Sequence, residues 1–433
     1  MSSAFSIALS SLQAESAAIN TTGNNLANMN TDGFKGSAVD FKDLFSASMG
    51  SGTSYDSGLG VTLPVNNQLF TQGSIQTSSA PLSAAIQGDG FFVVNNASNQ
   101  QLYTRDGNFV QNAAGELQTE TGEAVQGWTA GPNGISTTGA AGNIVLPADA
   151  VLPPTATQNL SINANLDSQE TVAGTPNTFS APMQVVDTLG NTHNLTMTFT
   201  QNAGTNTWNY AVTIPNGDLA TGTAANATNP VTLADGANPA TGIVTFNNAG
   251  TLISLTPTGG AAGTSPVVLS APALADGAAT MTMNWSLFNA AGTGQLTDYS
   301  QASGLASSTQ DGSTASSLTS VGIQNGGQVV ATYSNGQTKV EAQLAMAEIQ
   351  NPTSLQNVGN NNFAVGADTA IPAVGAPQSG GRGQILGGAV ESSNVDMATQ
   401  FTNLILYQSA YQASSRVIST EQTIDQDVLQ LIH

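Results

Sequence analysis

Residues 329–344, which read VVATYSNGQTKVEAQL, indicate most directly what kind of fold this chain adopts. Two runs rich in β-branched and apolar residues, 329–333 and 338–344, flank the triplet Ser334-Asn335-Gly336. β-branched residues favour strands, and Asn and Gly accept the positive φ that tight hairpin turns require. The stretch therefore predicts a β-hairpin.

The same pattern extends over most of the chain on both sides of this hairpin. Thr196–Thr200 and Tyr210–Ile214 predict a second hairpin, and Asn-Gly or Asp-Gly dipeptides separate other short apolar runs between about 60 and 390. Strands at such spacing are typical of sandwiches and barrels rather than of α/β units. We therefore predict a mainly β protein built from nested sandwich-like or barrel-like domains.

The N-terminal segment has a different periodicity. Between residues 3 and 28, apolar side chains recur at steps of four and three, the spacing of one helix face, with two gaps occupied by small residues. The pattern predicts an amphipathic helix that ends in the Asn-rich segment 24–30. Its apolar residues are Phe5, Leu9, Leu12, Ile19 and Leu26.

The C-terminal 40 residues repeat this periodicity. Ser393 and Asp396 resemble a capping box, which predicts that the helix begins near residue 394. A second apolar register lies beside the first, so that one partner helix would not cover the whole face. The residues of the first register are Met397, Phe401, Leu404, Tyr411, Ile418, Leu429 and Ile432.

Shifts in composition predict how the chain is divided. Pro153-Pro154 and the Gly/Ser/Thr-rich stretch 300–316 are typical of paired crossings into and out of an inserted domain, and the Gly/Ser-rich stretch 46–60 is typical of a flexible or extended connection. We predict four parts: a coiled-coil-like helical domain (1–30 plus 393–433), a connecting region (31–75), a first β domain (76–155 plus 305–392) and an inserted outer β domain (156–304).

The apolar stripes of the two terminal helices allow two interpretations. They dock within their own molecule, or they remain uncovered and form an assembly surface for further copies of the chain. A lone helix is marginal in water, and most helical stability comes from burying an apolar face. If neither helix hides its stripe in the monomer, contacts that do not close a ring generate a helical polymer.

The charge balance excludes two classes of partner. Only 8% of the residues are charged, acids outnumber bases 27 to 6, and the formal net charge is −21. The 233 residues between Arg105 and Lys339 contain no Lys or Arg. Nucleic acids and anionic membrane surfaces are bound by clustered cations, which this chain lacks, so neither is expected as a partner.

The residues that most enzymes use are scarce. The chain has no Cys and only two His, His193 and His433, which excludes thiolate catalysis and His-rich metal sites. We assign His193 a structural role near the start of a strand. No catalytic, cofactor-binding or metal-binding residue is expected, no cofactor is expected, and the chain is not expected to be an enzyme.

The sequence also bears on export and on membrane insertion. No Lys or Arg precedes Lys35, so the charged region of a cleavable secretory signal is not expected. The longest apolar runs have four or five residues, far below the roughly 18–20 that span a bilayer. We expect no membrane insertion and, if the protein leaves the cell, a route without a cleaved signal.

Several blocks of the sequence resemble the bacterial flagellar rod and hook protein family. They are NNLANMNTDGFK (24–35), GDGFFVV (88–94), YTRDGNF (103–109), SNVDM (393–397) and YQSAYQASSRVI (407–418). The length of the chain and the block VDTLGNTHNL (186–195) are similar to the hook branch of this family. The motif residues carried over from the first block are Asn24, Asn25, Ala27, Asn28, Gly33, Phe34 and Lys35.

The resemblance implies an extracellular structural subunit of the flagellar hook. Such subunits leave the cell through the flagellar export apparatus without a cleaved signal. They polymerise with copies of themselves beneath a hook cap protein into a curved, flexible tube. That tube transmits torque from the rod protein to the filament through a hook–filament junction protein.

Two other kinds of protein remain open from the sequence. A distal rod protein of the flagellar basal body shares the terminal blocks but forms a straight, rigid polymer. A secreted β-rich adhesin would stay monomeric and would tolerate loss of both terminal helices.

Overall fold

The computed structural model describes residues 3–44, 60–131, 134–146, 151–169, 176–220, 230–264 and 266–431. The predicted fold class is confirmed: the chain is mostly β, with one long helix near each end, α1 (Ser3–Ala27) and α2 (Met397–Leu431). The connecting stretch that the sequence predicts to be flexible or extended, 46–60, lies outside the described residues except for its last position.

The β-strands are short and numerous. The first half of the chain contains β1 (Ser37–Asp40), β2 (Val65–Gln68), β3 (Ile75–Thr77), β4 (Ala84–Gln87), β5 (Phe91–Asn95), β6 (Gln101–Thr104), β7 (Phe109–Gln111), β8 (Leu117–Thr119), β9 (Ala124–Thr129), β10 (Gly142–Asn143), β11 (Val151–Leu152), β12 (Asn159–Asp167), β13 (Thr178–Val186), β14 (Thr192–Gln201) and β15 (Thr207–Ile214). The second half contains β16 (Val231–Thr232), β17 (Ala234–Asp235), β18 (Asn238–Pro239), β19 (Thr241–Phe246), β20 (Leu252–Pro257), β21 (Val267–Ser270), β22 (Thr282–Ser286), β23 (Leu296–Tyr299), β24 (Gly304–Gln310), β25 (Ser316–Ile323), β26 (Gln328–Tyr333), β27 (Thr338–Leu344), β28 (Met346–Glu348), β29 (Gln356–Gly359), β30 (Asn362–Ala364), β31 (Ala373–Gly375), β32 (Gln384–Gly387) and β33 (Ala389–Glu391).

The chain folds into two compact units. Unit 1 comprises Met1–Ala148, Thr319–Thr332 and Thr338–His433, and unit 2 comprises Asp149–Leu318 and Tyr333–Gln337. Unit 1 therefore contains both helices and is assembled from distant parts of the sequence. The four-part division of the sequence is finer than these two units and stays a prediction.

A central strand organises the core of unit 1. Strand β5 lies between β9 and β6 in the sheet, and its first four residues are all buried. Successive side chains of a strand point to opposite faces. Phe92 and Val94 accordingly enter one hydrophobic cluster, and Phe91 and Val93 enter a second one on the other face. The apolar run 91–94 is thus a strand buried on both sides.

Unit 2 is a β-sandwich. One sheet has the order β13-β14-β15-β19-β20, and the other contains β17, β21, β22, β12 and β23. Every second residue of β12 and β14 is buried, and their apolar residues share one core. Tyr210 of the first sheet and Trp285 of the second meet edge to face at 5.3 Å. The core therefore lies between the two sheets.

Both hairpins expected from the sequence are present. β26 pairs with β27, and the Tyr333 N–H donates to the Gln337 carbonyl across a turn in which Gly336 has φ +80°. β14 pairs with β15, with Gln201 opposite Trp208. Two neighbouring β-type runs, joined in the first case by the turn residues Asn335-Gly336, were sufficient to predict both hairpins.

The start of α2 differs from the expected one. The helix begins at Met397, not near residue 394, because Asp396 rather than Ser393 is the N-cap. The Asp396 side chain accepts a hydrogen bond from the Thr399 backbone N–H at 2.8 Å, which is the usual N-cap contact. The Ser393 hydroxyl instead accepts from the Val395 N–H within the preceding extended segment.

Candidate assembly surface and its anchor

The two helices of unit 1 pair antiparallel. The Ser11 and Ser414 hydroxyls are 3.0 Å apart, and the Asn25 side chain donates to the Gln400 side chain at 3.1 Å. A residue later in α1 thus contacts a residue earlier in α2, as expected for an antiparallel pair. The pair is therefore formed within one molecule by the two ends of the chain.

Small residues form the buried side of α1. Ala8, Ala14 and Ala18 are at most 5% exposed, and Thr21, Thr22 and Asn25 are buried as well. Small side chains let two helices approach closely, but each buries little apolar area. Because hydrophobic stabilisation scales with buried apolar area, this seam leaves much of the helices' apolar surface in water.

Helix α2 carries most of that uncovered surface. None of the α2 residues whose burial the structure describes is fully buried. Ile405 and Leu406 are 64% and 61% exposed. Monomeric proteins rarely leave such a run of large apolar side chains in water unless it binds a partner. We call the exposed set the α2 apolar surface: Met397, Phe401, Ile405, Leu406, Tyr411, Val417 and Ile424.

The stripes singled out in the sequence flank the helix seam. Of the α1 stripe, Leu9 is exposed and the other four are half-buried: Phe5, Leu12, Ile19 and Leu26. Of the α2 stripe, Leu404 and Ile418 are half-buried, and three belong to the α2 apolar surface: Met397, Phe401 and Tyr411. Leu429 lies in α2, but its side chain is outside the described part, as is the whole of Ile432. The role of both stripes in assembly stays a prediction.

A turn rich in asparagine links α1 to the β-rich part of unit 1. The Asn25 side chain donates to the Ser37 carbonyl at 2.8 Å and accepts from the Ser37 N–H at 2.9 Å. The Asn28 side chain donates to the side chain and to the carbonyl of Asn24. Ala27 is the last helical residue. The amides of this motif thus replace the backbone bonds that the helix end loses.

Gly33 and Phe34 complete the turn. Gly33 has φ +69°, and a Cβ atom there would lie 2.5 Å from the Asp106 backbone nitrogen. Its N–H donates to the Glu391 carbonyl at 2.7 Å, and the Phe34 N–H donates to the Thr31 carbonyl. Only glycine combines this backbone conformation with so close an approach.

Lys35, Arg105 and Glu391 form a buried ionic cluster behind this turn. Lys35 Nζ is 2.6 Å from Glu391 Oε1, and Arg105 Nη1 is 3.3 Å from Glu391 Oε2; the side chains are 0–4% exposed. Lys35 also donates to the Thr71 carbonyl, and Arg105 to the Gly88 carbonyl. One carboxylate therefore joins the connecting region, the β5–β6 hairpin and the segment that leads into α2.

The electrostatics of the cluster depend on Glu391. Burial lowers the pKa of Lys35 and of Arg105, and the adjacent Glu391 carboxylate raises both pKa values back toward their ordinary range. The Arg105 guanidinium also lies over the Phe91 ring, 5.2 Å from its centroid. Two buried cations thus share the Glu391 carboxylate; the Asp89 carboxylate also raises the pKa of Arg105, but more weakly.

Asp106 follows Arg105 in the chain, and its surroundings disfavour the charged form of its carboxyl group. Burial raises the pKa of Asp106 to about 6, with smaller contributions from the neighbouring Asp32 and Glu120 carboxylates. Its Oδ1 accepts a hydrogen bond from the Asn108 N–H. The folded protein therefore holds a proton at Asp106 up to a higher pH than the unfolded chain does.

Asp106→Asn is expected to stabilise unit 1 at neutral pH. The pKa of Asp106 is raised on folding, so its contribution to stability is present below about pH 4 and is lost as the pH rises through 6. Asn retains the Oδ1 acceptor and carries no charge, so the gain at pH 7.5 is expected to be about 2–3 kcal/mol. Urea unfolding of both proteins at pH 4 and pH 7.5 measures it. The exposed Asp368→Asn is the control, and a gain independent of pH would contradict the assignment.

Sequence reasoning missed Glu391 and the alanine seam. The chain has only six Lys and Arg, and three of them, Lys35, Arg105 and Arg416, fall inside the blocks that resemble the flagellar family. That placement was the available signal that some of these cations have a carboxylate partner. No local pattern distinguishes Glu391 from the other 26 acids. Similarly, the periodicity of large apolar residues drew attention away from Ala8, Ala14 and Ala18.

Comparison with known proteins places four families along the chain. Residues 5–35 match a family described as flagella basal body rod protein, and 85–165 match the flagellar hook protein FlgE/F/G D1 domain. Residues 152–313 match the flagellar basal body protein FlaE D2 domain, and 386–431 the flagellar basal body rod FlgEFG protein C-terminal family. The helices and β domains thus define an axial structural protein of the bacterial flagellum.

Relatives that match over nearly the whole chain show which protein of this class the chain resembles. The chain is 31% identical to the flagellar hook protein FlgE of Treponema pallidum, with 98% of each chain covered, and 31% identical to that of Rhizobium meliloti, with 95% of this chain and 94% of the relative covered. It is 28% identical to the FlgE of Escherichia coli, with 97% and 98% covered. The chain belongs to the flagellar hook protein FlgE family, and its function is that of a structural hook subunit; the distal rod and adhesin alternatives are not favoured.

A solved structure supports the fold. The crystal structure of Helicobacter pylori flagellar hook protein FlgE2 covers 72% of this chain and 99% of its own, at TM-score 0.50 and 14% identity. Hook proteins lie on the exterior of the cell as part of the flagellum. Among the described residues, no helix combines the length and the apolarity that a membrane crossing needs.

Proposed function

We propose that this chain polymerises through its paired terminal helices into a curved, flexible tube that transmits torque from rod to filament. The observation that carries the proposal is the α2 apolar surface. In the monomer, α1 covers only one side of α2, and among the side chains of α2 that the structure describes, seven large apolar ones are exposed. Neighbouring subunits that cover this surface would gain roughly 25 cal/mol for each Å² of apolar area buried.

The charge distribution supports flexibility of the tube. Residues 156–304, most of unit 2, contain seven acids and no Lys or Arg. Salt bridges between copies of this surface therefore lack their basic partner. Desolvated ion pairs are costly to break, whereas contacts between small polar side chains exchange with little change in energy. Surfaces of this kind suit subunits that slide past one another as a curved tube rotates.

The other expected partners and the export route belong to the same proposal. We propose that the chain leaves the cell through the flagellar export apparatus without a cleaved signal, assembles beneath a hook cap protein, and contacts a rod protein at one end of the tube and a junction protein at the other. Membership of the FlgE family supports these assignments.

Removal of residues 1–30 is expected to abolish polymerisation. The deletion removes α1, so that α2 loses both its intramolecular partner and its orientation. Electron microscopy of the purified chain and of the deletion variant measures the result, and circular dichroism checks that the β content is retained. Polymers of unchanged form from the shortened chain would contradict assembly through the helices, and straight polymers from the full chain would contradict the curved tube.

A further inference from the structure

Unit 2 contains a histidine surrounded by three aspartates. His193 is 6% exposed; its Nε2 is 3.3 Å from Asp187 Oδ2 and 3.5 Å from Asp276 Oδ2, and its Nδ1 is 3.3 Å from Asp218 Oδ2. We call these four residues the aspartate–histidine cluster. It belongs to unit 2, whereas the helices that carry the proposed assembly function belong to unit 1.

The carboxylates are fixed in orientation by the backbone. Asp187 Oδ1 accepts hydrogen bonds from the N–H groups of Leu189 and Asn191, each at 2.8 Å, and Asp276 Oδ1 accepts from the Ala278 N–H at 3.0 Å. Their Oδ2 atoms are left to face the imidazole. The Asn191 amide donates to Asp276 Oδ2 at 3.0 Å and lies 3.4 Å from Asp187 Oδ2. The cluster is therefore ordered before any ligand binds.

The charge of the aspartates in this cluster is not compensated by any Lys or Arg among the described residues. Three carboxylates converge, and residues 106–338 contain no Lys or Arg to compensate them. A neutral imidazole has one nitrogen without a proton, and here each nitrogen faces a carboxylate oxygen. Nδ1 is buried and forms no hydrogen bond with any described residue. Either neutral tautomer thus directs a lone pair at an anion, which is unfavourable in a buried site.

The distances fit a metal ion. Zn²⁺ binds imidazole nitrogen and carboxylate oxygen at about 2.0–2.2 Å, and in a tetrahedral site two such ligand atoms are about 3.3–3.6 Å apart. The two Nε2–Oδ2 distances, 3.3 and 3.5 Å, have this length, and the three ligand atoms of Asp187, His193 and Asp276 lie within 4.8 Å of one another. The Asp276 side chain is 25% exposed, which leaves an entry path and a position for water.

We propose that Asp187, His193 and Asp276 bind a divalent transition-metal ion of the Zn²⁺ type. Asp218 is a positioning residue: its Oδ2 lies 3.3 Å from Nδ1 and, once Nε2 binds the metal, would accept the Nδ1–H hydrogen bond that holds this tautomer, as the carboxylate partner of a metal-bound histidine usually does. Mixed nitrogen and oxygen ligands favour Zn²⁺, Mn²⁺, Co²⁺ or Ni²⁺ over Ca²⁺ or Mg²⁺, which take oxygen alone.

The ion would join the two sheets of unit 2. Asp187 and His193 flank the β13–β14 turn of one sheet, whereas Asp276 lies between β21 and β22 of the other. A ligand that binds only the folded state stabilises it. At 100-fold excess over Kd, we expect the unfolding midpoint of unit 2 to rise by roughly 5–10 °C.

Metal titration of the full-length chain tests the proposal. Metal-free protein at pH 7.5 is expected to bind one Zn²⁺ in calorimetry and one Co²⁺ with visible d–d absorption, and Zn²⁺ is expected to raise the unfolding midpoint. Absence of stoichiometric Zn²⁺ binding, or a site that takes Ca²⁺ but not Zn²⁺, would overturn it. If a protonated imidazole supplies the missing charge instead, neither metal ions nor a chelator will change the midpoint, which also overturns the proposal.

Variants locate the site. His193→Gln and Asp276→Asn are expected to abolish stoichiometric binding, and Asp218→Asn to weaken it about 10–100-fold. Asp235→Asn, which removes one charge from the same unit, and His433→Ala, which removes the other histidine, are the controls and are expected to bind as the wild type does. Wild-type affinity in Asp276→Asn would contradict the assignment, and the wild-type titration decides the question even if a variant fails to fold.

Discussion

Glu391→Gln is expected to lower the free energy of unfolding of unit 1 by about 3–5 kcal/mol, because removing one partner of a buried ion pair leaves the other uncompensated. Here a single substitution affects two cations. Lys35 and Arg105 are both buried, and Glu391 is the carboxylate within 3.3 Å of each. Gln is nearly isosteric, so that the loss measures charge rather than volume.

An ion pair whose lysine is exposed to water, in the same unit, provides the control. Lys339 Nζ is 3.1 Å from Glu341 Oε1; the lysine side chain is 54% exposed and that of Glu341 is 12% exposed. Surface ion pairs contribute at most about 1 kcal/mol, so Glu341→Gln is expected to change stability little. Urea unfolding followed by circular dichroism, with hydrogen exchange at Phe91–Asn95 as the probe of unit 1, measures both variants. Equal losses for the two would show that burial of the cluster is not what makes Glu391 important.

Simultaneous substitution of Ile405 and Leu406 by Gln is expected to prevent polymerisation while leaving the monomer folded. Both side chains are more than half exposed, so that the monomer loses little buried area. If neighbouring subunits cover them, each subunit loses about 2 kcal/mol or more of assembly energy. Since 1.4 kcal/mol is a factor of ten, the critical concentration should rise at least about 30-fold.

The control for this prediction changes exposed polar positions of the same helix. Gln412→Asn with Gln422→Asn shortens two exposed polar side chains of α2 by one methylene each and leaves the α2 apolar surface intact, so the critical concentration is expected to stay near that of the wild type. Sedimentation of polymers over a range of protein concentrations measures it. An unchanged critical concentration in the Ile405/Leu406 variant would show that these side chains stay in water in the polymer.

Local patterns were informative wherever neighbours in sequence are neighbours in space. The hairpin at Asn335-Gly336 follows from turn residues between two apolar runs, the hairpin of 196–214 follows from the two runs themselves, and α1 follows from its apolar spacing. The boundary of α2 was displaced by three residues because Ser393 and Asp396 are both N-cap residue types. Only the hydrogen bond from the Thr399 N–H shows which of them is the cap.

The packing of the helices required the structure. Periodicity identified the large residues of α1 and α2 but not that Ala8, Ala14 and Ala18 form the seam. Alanine occurs on both the buried and the exposed face of helices, so the position of an alanine in the sequence carries little information about its burial. Which residues of α1 face α2 determines which apolar side chains remain exposed for contact with other subunits.

The sequence by itself determined the fold class, the two terminal helices and the shortage of basic residues, since these depend on spacing and composition along the chain. Tertiary structure alone decided the partners of the buried charges. Lys35 and Glu391 are 356 positions apart, and Asp276 is brought to His193 from the other sheet of unit 2. The interaction between two charges depends on the distance between them in space. Folding of the chain, not separation in sequence, determines that distance.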